Sequence, residues 1–444
     1  MTKRTRTKYW IGHQNWRGWL VRTAKVTSRL IQYNQVMMVA VIGAGASGMM
    51  AALQAAWNGA SVTLFERNAA LGRKLLITGS GRCNITNNAA VAAKYTCADS
   101  AWIKTLINRF GICDLITVLT EIGIPVYKTF DGWYYPLSNS AHTVVESFSC
   151  ALGLAGVTLC TSAQVISICV SGQGFSVRFL RDGTEQEKRF ERVIVSAGGM
   201  AYPSLGSRGE LFPVLEHLGH TVLPIRPALA PILADLGNWQ SLQGVRLNAG
   251  VTLWKGSQRL AFSKGNLIFT KWGLNGPAVM NISHYISIQP GAALDLSLNL
   301  LTFFNDEFEN LLAKKRMSRI PLRVFLGAFF PPKVAMLLPL NARLPEDITL
   351  CQIDDRTLDQ FVKRLKDIRL PVKGVRGFEY CQVSTGGVPV GEVDPRTLES
   401  RRLKGLFLTG ETLDVVGPCG GYNLQYAFSS GALAGREAAG RADG

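Results

Sequence analysis

The chain has 444 residues, of which 47% are hydrophobic and 18% are charged, so it is long enough for two or three domains and is globular rather than intrinsically disordered. Its nine cysteines contain no Cys-x-x-Cys pair and its five histidines show no metal-ligand spacing, which argues against a zinc ribbon, a dithiol reductase motif and a metal centre. The formal net charge of +17 would ordinarily indicate nucleic acid or an anionic membrane as a partner.

Much of that excess charge lies at the beginning of the chain. Residues 1–36 contain eight basic residues and no acidic residue. We interpret this leader as a disordered upstream extension outside the working protein, in preference to a basic tail or targeting arm, because it lacks the apolar core and cleavage site of a secretory signal. The rest of the chain has no uninterrupted apolar run of about 20 residues, the length needed to span a membrane. We therefore expect a cytoplasmic protein without an integral membrane segment or a stable nucleic acid partner.

Residues 38–66 predict a strand, a glycine-rich turn, a helix and a second strand, which together form a βαβ unit. The turn is Gly43-Ala44-Gly45-Ala46-Ser47-Gly48, and Glu66 ends the second strand. In such a unit Gly43 permits the tight turn, Gly45 lets the backbone approach a diphosphate, and Gly48 permits close helix packing. The diphosphate is expected at the helix N-terminus. Glu66 would accept both hydroxyls of the adenosine ribose and repel a 2′-phosphate, so NADP is disfavoured at this site.

A second glycine-rich loop runs from Gly72 to Asn87. Its cations Arg73, Lys74 and Arg82, together with its backbone amides, are suited to binding phosphates. Asn84 adds a short polar group for a ribityl chain or a substrate. Read alone, the same loop is also explained as a solvated basic loop.

The next region predicts an antiparallel hairpin. Residues 174–195 alternate between apolar and polar types around a turn at Asp182-Gly183, as hairpin strands do. The last strand is expected to return to the main sheet just before Ala197-Gly198-Gly199.

Residues 206–302 remain strand-like and rich in turns, and helices are expected after them. The first helix is predicted to have Asn305 as its N-cap, and two further helical stretches are expected to end at Pro331-Pro332 and near Arg369. Strand and turn signals resume after Pro371. We therefore predict a discontinuous nucleotide-binding domain with an inserted β-rich and helical domain. The proposed boundaries are 37–205 and 372–444 for the first and 206–371 for the second.

The C-terminal segment repeats the pattern of a strand followed by a helix start. The apolar residues 406–408 lead into Gly410-Glu411, and Gly420-Gly421 then begins a helix. Such a helix N-terminus, aimed at the pyrimidine ring of a flavin, would stabilise the negative charge of the reduced form. Glu411 or Asp414 can bond ribityl hydroxyls.

Several motifs together carry a resemblance to a known family. They are Gly43 to Gly48, Thr78-Gly-Ser-Gly-Arg-Cys-Asn84 with Thr86-Asn87, Gly198-Gly-Met-Ala-Tyr-Pro203, Gly273-Leu-Asn-Gly-Pro-Ala278, Ser384-Thr-Gly-Gly-Val388, and Gly410-Glu411 with Gly420-Gly-Tyr-Asn-Leu-Gln425. The combination closely resembles bacterial flavoproteins called NAD(P)/FAD-dependent oxidoreductases or aminoacetone-oxidase-like flavoproteins, some of which reduce steroid-like enones of bile acids. The resemblance covers about residues 38–438. It implies non-covalent FAD and an α/β two-dinucleotide-type Rossmann-like fold with an inserted β-barrel and a helical subdomain.

The motifs and this resemblance together define a set of expected cofactor contacts. The residues predicted to contact FAD are Gly43, Gly45, Ala46, Ser47, Gly48, Glu66, Arg67, Lys74, Gly81, Arg82, Asn84, Gly198, Gly199, Gly410, Glu411, Asp414, Gly421, Tyr422, Asn423 and Leu424. The chain departs from many relatives at Lys271-Trp272, where they carry His, and at Met200, where a small hydroxyl residue is usual. If these positions touch substrate, the substrate differs from that of the relatives.

We predict an FAD-dependent oxidoreductase that transfers hydride through flavin N5 to an activated double bond of a small organic substrate. Because no second dinucleotide motif is evident, NADH or NADPH is expected to dock transiently over the flavin. Two alternatives remain: an oxidase that acts on a small amine with O2, and an FAD-dependent tRNA-modifying or redox-sensing protein. The candidate acids or bases are Tyr202, Lys271, Tyr422 and Cys419, and Lys271-Trp272 are expected to line a cover over the flavin ring.

Overall fold

The structure, a computed structural model, describes residues 36–440. The predicted leader, except for its last residue, lies outside the described residues. In chain order the strands are β1 Met38–Ile42, β2 Ser61–Phe65, β3 Thr86–Asn87, β4 Thr96–Cys97, β5 Val126–Lys128, β6 Trp133–Pro136, β7 Thr158–Cys160, β8 Ala163–Ser171, β9 Gly174–Arg181, β10 Thr184–Phe190, β11 Arg192–Val195, β12 Leu223–Ala228, β13 Ile232–Ala234, β14 Arg246–Lys255, β15 Gln258–Thr270, β16 Gly273–Asn275, β17 Asp295–Asn299, β18 Ile368–Val375, β19 Val383–Gly387, β20 Leu406–Leu408 and β21 Val415–Val416.

The α-helices follow the same order along the chain. They are α1 Ala46–Trp57, α2 Arg73–Leu76, α3 Ser100–Arg109, α4 Ile112–Glu121, α5 Ala141–Leu154, α6 Phe212–His217, α7 Pro277–Met280, α8 Ser283–Ser287, α9 Asn305–Lys315, α10 Leu322–Gly327, α11 Pro332–Asn341, α12 Asp355–Lys366 and α13 Tyr422–Ala438. Among residues 36–440, none of these helices has both the length and the apolar composition needed to cross a membrane.

A parallel sheet with the strand order β20-β11-β1-β2-β7 forms the centre of one half of the molecule, which includes strands from both ends of the described chain. In β1 the residues from Val39 to Ile42 are all buried, as expected for a parallel strand that is covered on both faces. The predicted βαβ unit is confirmed, because β1, α1 and β2 occur in that order and β1 pairs with β2 in parallel.

The predicted hairpin is confirmed as well. β9 pairs with β10 antiparallel, and the turn between them places Asp182 and Gly183 at φ values of 52° and 74°. Positive φ at both central residues is the signature of the tight turn that matches strand twist. β11 then enters the parallel sheet beside β1.

A closed barrel with the strand order β13-β16-β15-β14-β17-β18 forms the centre of the second half. On β14, Leu247, Ala249, Val251 and Leu253 are buried, whereas Arg246 is exposed. The apolar residues at alternate positions fill the inside of the barrel. The two hydrophobic cores follow this division, since one is built mainly from residues 39–215 and 388–438 and the other from residues 228–370.

The helices within residues 206–371 differ in detail from the sequence-based expectation. Pro332 begins α11 and does not terminate a helix, because a proline at the first helical position loses no intrahelical hydrogen bond. Asn305 is the first residue of α9, and Phe304 occupies the cap position. Short helices α6, α7 and α8 also interrupt residues 206–302, which are expected from the sequence to be strand-like and rich in turns.

Candidate functional site

A cavity of about 810 Å³ is lined by residues from both the parallel-sheet half and the barrel. The predicted residues that line it are Gly43, Gly45, Ala46, Ser47, Glu66, Arg67, Lys74, Arg82, Asn84, Gly198, Tyr202, Gly410, Glu411, Cys419, Gly421, Asn423 and Leu424. The predicted residues outside its lining are Gly48, Gly81, Gly199, Lys271, Asp414 and Tyr422.

The three glycines of the first turn have three different physical roles. Gly43 has φ +98°, and a Cβ there would lie 2.5 Å from the carbonyl oxygen of Ser196. A Cβ at Gly48 would lie 1.8 Å from the carbonyl oxygen of Gly43, so Gly48 packs against the turn itself. A Cβ at Gly45 would meet no atom within 4 Å, although Gly45 lines the cavity. Gly45 therefore keeps open a space beside the N-terminus of α1.

Glu66 stabilises the same turn from the end of β2. Its Oε2 accepts a hydrogen bond from the Ala44 amide at 2.9 Å, and its Oε1 accepts from the amide of Asn68 at 2.9 Å and from Asn68 Nδ2 at 2.6 Å. The residue is 8% exposed and lines the cavity. Each carboxylate oxygen can accept more than one hydrogen bond, so ribose hydroxyls remain possible further donors. That role stays a prediction.

The second glycine-rich loop contributes a strained backbone and an unsatisfied acceptor. Gly79, Ser80 and Gly81 have φ values of 57°, 60° and 84°. Positive φ at a non-glycine residue such as Ser80 is costly and is concentrated at ligand sites. Asn84 lies further along the same loop, and its Oδ1 is buried without a hydrogen-bond partner within residues 36–440. This oxygen requires a donor, which a bound hydroxyl would supply.

A partly buried ion pair joins this loop to the C-terminal segment. Lys74 Nζ lies 2.5 Å from Glu411 Oε1. Among the described residues, Glu411 Oε2 and the Thr412 hydroxyl are buried without partners, and both residues line the cavity. Buried polar atoms are normally hydrogen-bonded, so this wall also offers positions for ligand hydroxyls.

The N-terminus of α13 reaches the cavity at Gly421, which has φ +92°. A Cβ there would lie 2.6 Å from the main chain of Thr86. Asn423 lines the cavity and holds the preceding loop, because its side chain bonds both the amide and the carbonyl of Gly417 at 2.8 Å. Tyr422 points elsewhere: its carbonyl accepts from the Tyr95 hydroxyl at 2.9 Å and the two rings are in contact.

Two further predicted residues have positions that differ from those expected. Lys271 is exposed on the turn between β15 and β16 and does not line the cavity. Its place in a cover over the flavin ring stays a prediction. Asp414 Oδ1 accepts from the Thr385 hydroxyl at 2.9 Å and the Gly386 amide at 2.7 Å. Asp414 therefore holds the loop after β19 and does not face the cavity.

Trp272 and Gly199 also pack against protein. Trp272 lies outside the cavity lining and stacks with Arg376. A Cβ at Gly199 would lie 1.9 Å from Ser384 Oγ, so Gly199 makes a close contact between two loops.

Tyr202 is the predicted acid or base with the most suitable position. It lines the cavity in the left-handed conformation, with φ 57° and ψ 63°, which is a rare state for a bulky residue. Its amide donates to the Phe378 carbonyl at 2.9 Å, and burial raises the pKa of its hydroxyl. Cys419 also lines the cavity, but burial raises its pKa to about 12, so its thiol stays protonated.

Sequence reasoning missed part of the lining. Trp133 and Tyr135 on β6 line the cavity, and the Arg82 guanidinium lies 4.8 Å from the Tyr135 ring centroid. The aromatic run 133–135 was a signal that could have indicated them. Arg246, Asn266, Ile268 and Asn275 from the barrel also line it. Asn275 lies in the Gly273-to-Ala278 motif, whereas nothing in the local sequence distinguishes the other three from ordinary strand residues.

Together the walls fit a dinucleotide with a polyol chain. Gly45 leaves space where a diphosphate would meet the amides of α1. The buried unsatisfied oxygens of Asn84 and Glu411 match hydroxyl donors, and the N-terminus of α13 offers partial positive charge to an electron-rich ring.

Comparisons with known proteins agree with this fit. The family model described as HI0933-like protein Rossmann domain matches residues 37–437. The chain is 34% identical over 410 residues to the 3-dehydro-bile acid delta(4,6)-reductase of Clostridium scindens, covering 91% of this chain and 99% of the relative. It is 30% identical over 397 residues to the ribosomal RNA dihydrouridine synthase of Escherichia coli, covering 88% and 95%. The solved 3-ketosteroid-delta4-(5alpha)-dehydrogenase of Rhodococcus jostii has the same fold, with a TM-score of 0.50 and 14% identity over 91% of this chain and 97% of that one.

Proposed function

The chain belongs to the HI0933-like family of FAD-binding Rossmann proteins and is an FAD-dependent oxidoreductase, and from this premise we propose that it reduces a carbon–carbon double bond conjugated to a carbonyl group. NADH or NADPH is the proposed source of the hydride. The proposed substrate is a small organic molecule that enters the cavity from the barrel side.

The observation that carries this proposal is that two helix N-termini and the outer wall of the barrel line one cavity. In our assignment the N-terminus of α1 and the open space at Gly45 hold the diphosphate, and Glu66 accepts from the adenosine ribose. Asn84 and Glu411 accept from the ribityl hydroxyls. The N-terminus of α13 lies near the pyrimidine ring, where its dipole stabilises negative charge.

Bound FAD supplies the two-electron chemistry, because its reduced form donates a hydride to an electron-poor carbon. The protein must then provide a proton for the neighbouring carbon, since saturation of the double bond adds one hydride and one proton. Tyr202 is our candidate for that proton. Its raised pKa keeps the phenol protonated at neutral pH, and a phenol that loses its proton in the transition state acts as a general acid.

The names of two relatives support a reaction of this class. A delta(4,6)-reductase acts on ring double bonds, and a dihydrouridine synthase forms a uracil ring that carries two additional hydrogens. Both names describe the addition of hydrogen to a ring, although the substrates differ greatly in size. The shared feature is the chemistry at the reacting bond.

The identity to the ribosomal RNA dihydrouridine synthase favours a second candidate, in which the reduced ring is a uracil within RNA. The two candidates differ in how salt affects binding, because contacts to RNA phosphates weaken steeply as salt increases. Salt-sensitive binding of ribosomal RNA by the full chain, with formation of dihydrouridine, would favour the RNA substrate.

Anaerobic stopped-flow absorbance of the FAD-loaded protein tests the main proposal. NADH or NADPH should bleach the flavin band, and a 3-oxo-4,6-diene steroid should restore it while its own conjugated absorbance disappears. Bleaching by a primary amine with reoxidation by O2 would instead indicate an amine oxidase. If neither nicotinamide nor amine reduces the flavin, the reductase proposal fails.

A further inference from the structure

The outer wall of the barrel presents a row of side chains to the cavity. Arg246 on β14 is paired with Ile268 on β15, and Ile268 is paired with Asn275 on β16. Directly opposed residues of adjacent antiparallel strands project from the same face. Asn266 lies two residues before Ile268 and therefore shares this face. All four residues line the cavity, and we call them the barrel row.

The barrel row contains hydrogen-bond donors without protein acceptors. Arg246 is exposed and makes no ion pair or side-chain hydrogen bond in the part of the chain that the structure describes. Asn275 Oδ1 accepts from the Gly276 amide at 2.8 Å, which leaves its Nδ2 available. The Asn266 side chain likewise has no hydrogen-bond partner within residues 36–440.

Two other cations that line the cavity are neutralised by carboxylates, whereas Arg73, Arg82 and Arg208 donate to neutral oxygens of Asn68, Gly79 and Pro203 on the parallel-sheet half. Arg67 pairs with Glu210, and Lys74 pairs with Glu411. The proposed diphosphate site lies at the N-terminus of α1, on the parallel-sheet half of the cavity, so the barrel row is not needed for the phosphates. Pro277 and Met280 line the cavity near the same strands and provide an apolar surface beside the donors.

We propose that the barrel row binds an anionic oxygen group, a carboxylate in particular, at the end of the substrate remote from the reacting double bond. This inference rests on the proposed function, because it assigns the other end of the same substrate. Arg246 donates a charge-assisted pair of hydrogen bonds to the anion, the amides of Asn266 and Asn275 add neutral donors, and Ile268 with Met280 contacts the apolar skeleton. The enzyme then selects an acidic enone over its neutral ester.

The test uses the full-length, oxidised, FAD-loaded protein and two probes that differ only in charge: 3-oxo-4-cholenoate and its methyl ester. Dissociation constants are measured from the perturbation of the flavin spectrum, which requires no turnover. Arg246→Gln should weaken binding of the carboxylate by about 10- to 100-fold and leave that of the ester within about 2-fold, the scale of a lost charge-assisted hydrogen bond. Arg246→Lys should recover part of the loss.

Arg259→Gln is the matched control, because Arg259 is an exposed cation on β15 of the same barrel but lies outside the cavity lining. It should change neither constant. The proposal is overturned if the wild-type protein does not bind the carboxylate more tightly than the ester, or if Arg246→Gln affects both probes equally. It is also overturned if Arg246→Gln weakens only the binding of NADPH, measured in the reductive half-reaction. If the protein binds the carboxylate more tightly than the ester but reduces neither probe, the proposed function is refuted. The proposed anion site is then still supported.

Discussion

Gly431 of α13 packs directly against the main chain of Ser47 in α1, so closely that a Cβ on Gly431 would lie 2.2 Å from the Ser47 carbonyl oxygen. One turn further along, a Cβ on Gly435 would lie 2.3 Å from the Ala51 carbonyl oxygen. Ser47 belongs to the glycine-rich turn that lines the cavity. The C-terminal helix therefore positions the proposed diphosphate site.

We expect Gly431→Ala to separate α13 from α1, with a loss of about 1–3 kcal/mol of unfolding free energy, the usual cost of overpacking. FAD affinity should fall with it. Gly153→Ala is the control, because Gly153 is helical and a Cβ there meets no atom within 4 Å. Chemical denaturation and flavin retention on dialysis measure both effects. Equal stability of the two variants would contradict the proposed helix contact.

Gly45 and Gly48 should respond differently to the same substitution. Gly45→Ala places a methyl group in open cavity space, so the apoprotein should keep its stability within about 0.5 kcal/mol while flavin content decreases. Gly48→Ala forces a clash with the Gly43 carbonyl and should lower both the stability of the apoprotein and the flavin content. Thermal unfolding of the apoproteins, together with the ratio of flavin to protein absorbance, separates the two. Full flavin content in Gly45→Ala would show that no diphosphate approaches this turn.

Tyr202→Phe should slow the oxidative half-reaction by about 10²- to 10⁴-fold, the usual contribution of a general acid. Flavin content and reduction by NADH or NADPH should remain unchanged, because the phenol is assigned to proton transfer alone. Tyr134→Phe is the control, since Tyr134 lies on β6 outside the cavity lining. Single-turnover stopped-flow measurements report each half-reaction. An unchanged oxidative rate would remove Tyr202 from the mechanism.

Glu392 should make stability depend on pH in the acid range. Burial by itself raises its pKa, but hydrogen bonds from Arg402, Thr221 and His220 outweigh burial and lower the pKa from 4.5 to about 2. Because the pKa of Glu392 is lower in the folded state than in the unfolded state, its stabilisation is present above pH 4.5 and is lost as the pH falls toward about 2.

Glu392→Gln should accordingly cost up to about 3 kcal/mol of unfolding free energy at neutral pH, and this difference should shrink on acidification. Asp347→Asn serves as the control, because the Asp347 side chain is 87% exposed. Urea denaturation across the acid range measures the difference. A difference that is independent of pH would contradict the assigned pKa.

Much of the local structure was readable from the sequence. The turn at Gly43 to Gly48, the hairpin turn at Asp182-Gly183 and the helix start at Gly421 all require positive φ or the absence of a side chain at particular positions. Such requirements restrict the residue type directly and act over a few residues. They therefore remain visible in the sequence without knowledge of the fold.

Only the tertiary structure determined which residues line the cavity. Tyr422 follows Gly421 directly, yet it packs against Tyr95, because its direction depends on how α13 enters the core. Lys271 is exposed, whereas Arg246 and Asn275 line the cavity. Arg246 and Asn275 are neighbours because the register of β14, β15 and β16 brings together residues that are separated in the chain. Strand register depends on the packing of the whole barrel interior, so only the folded chain determines which polar residues share a face with the cavity.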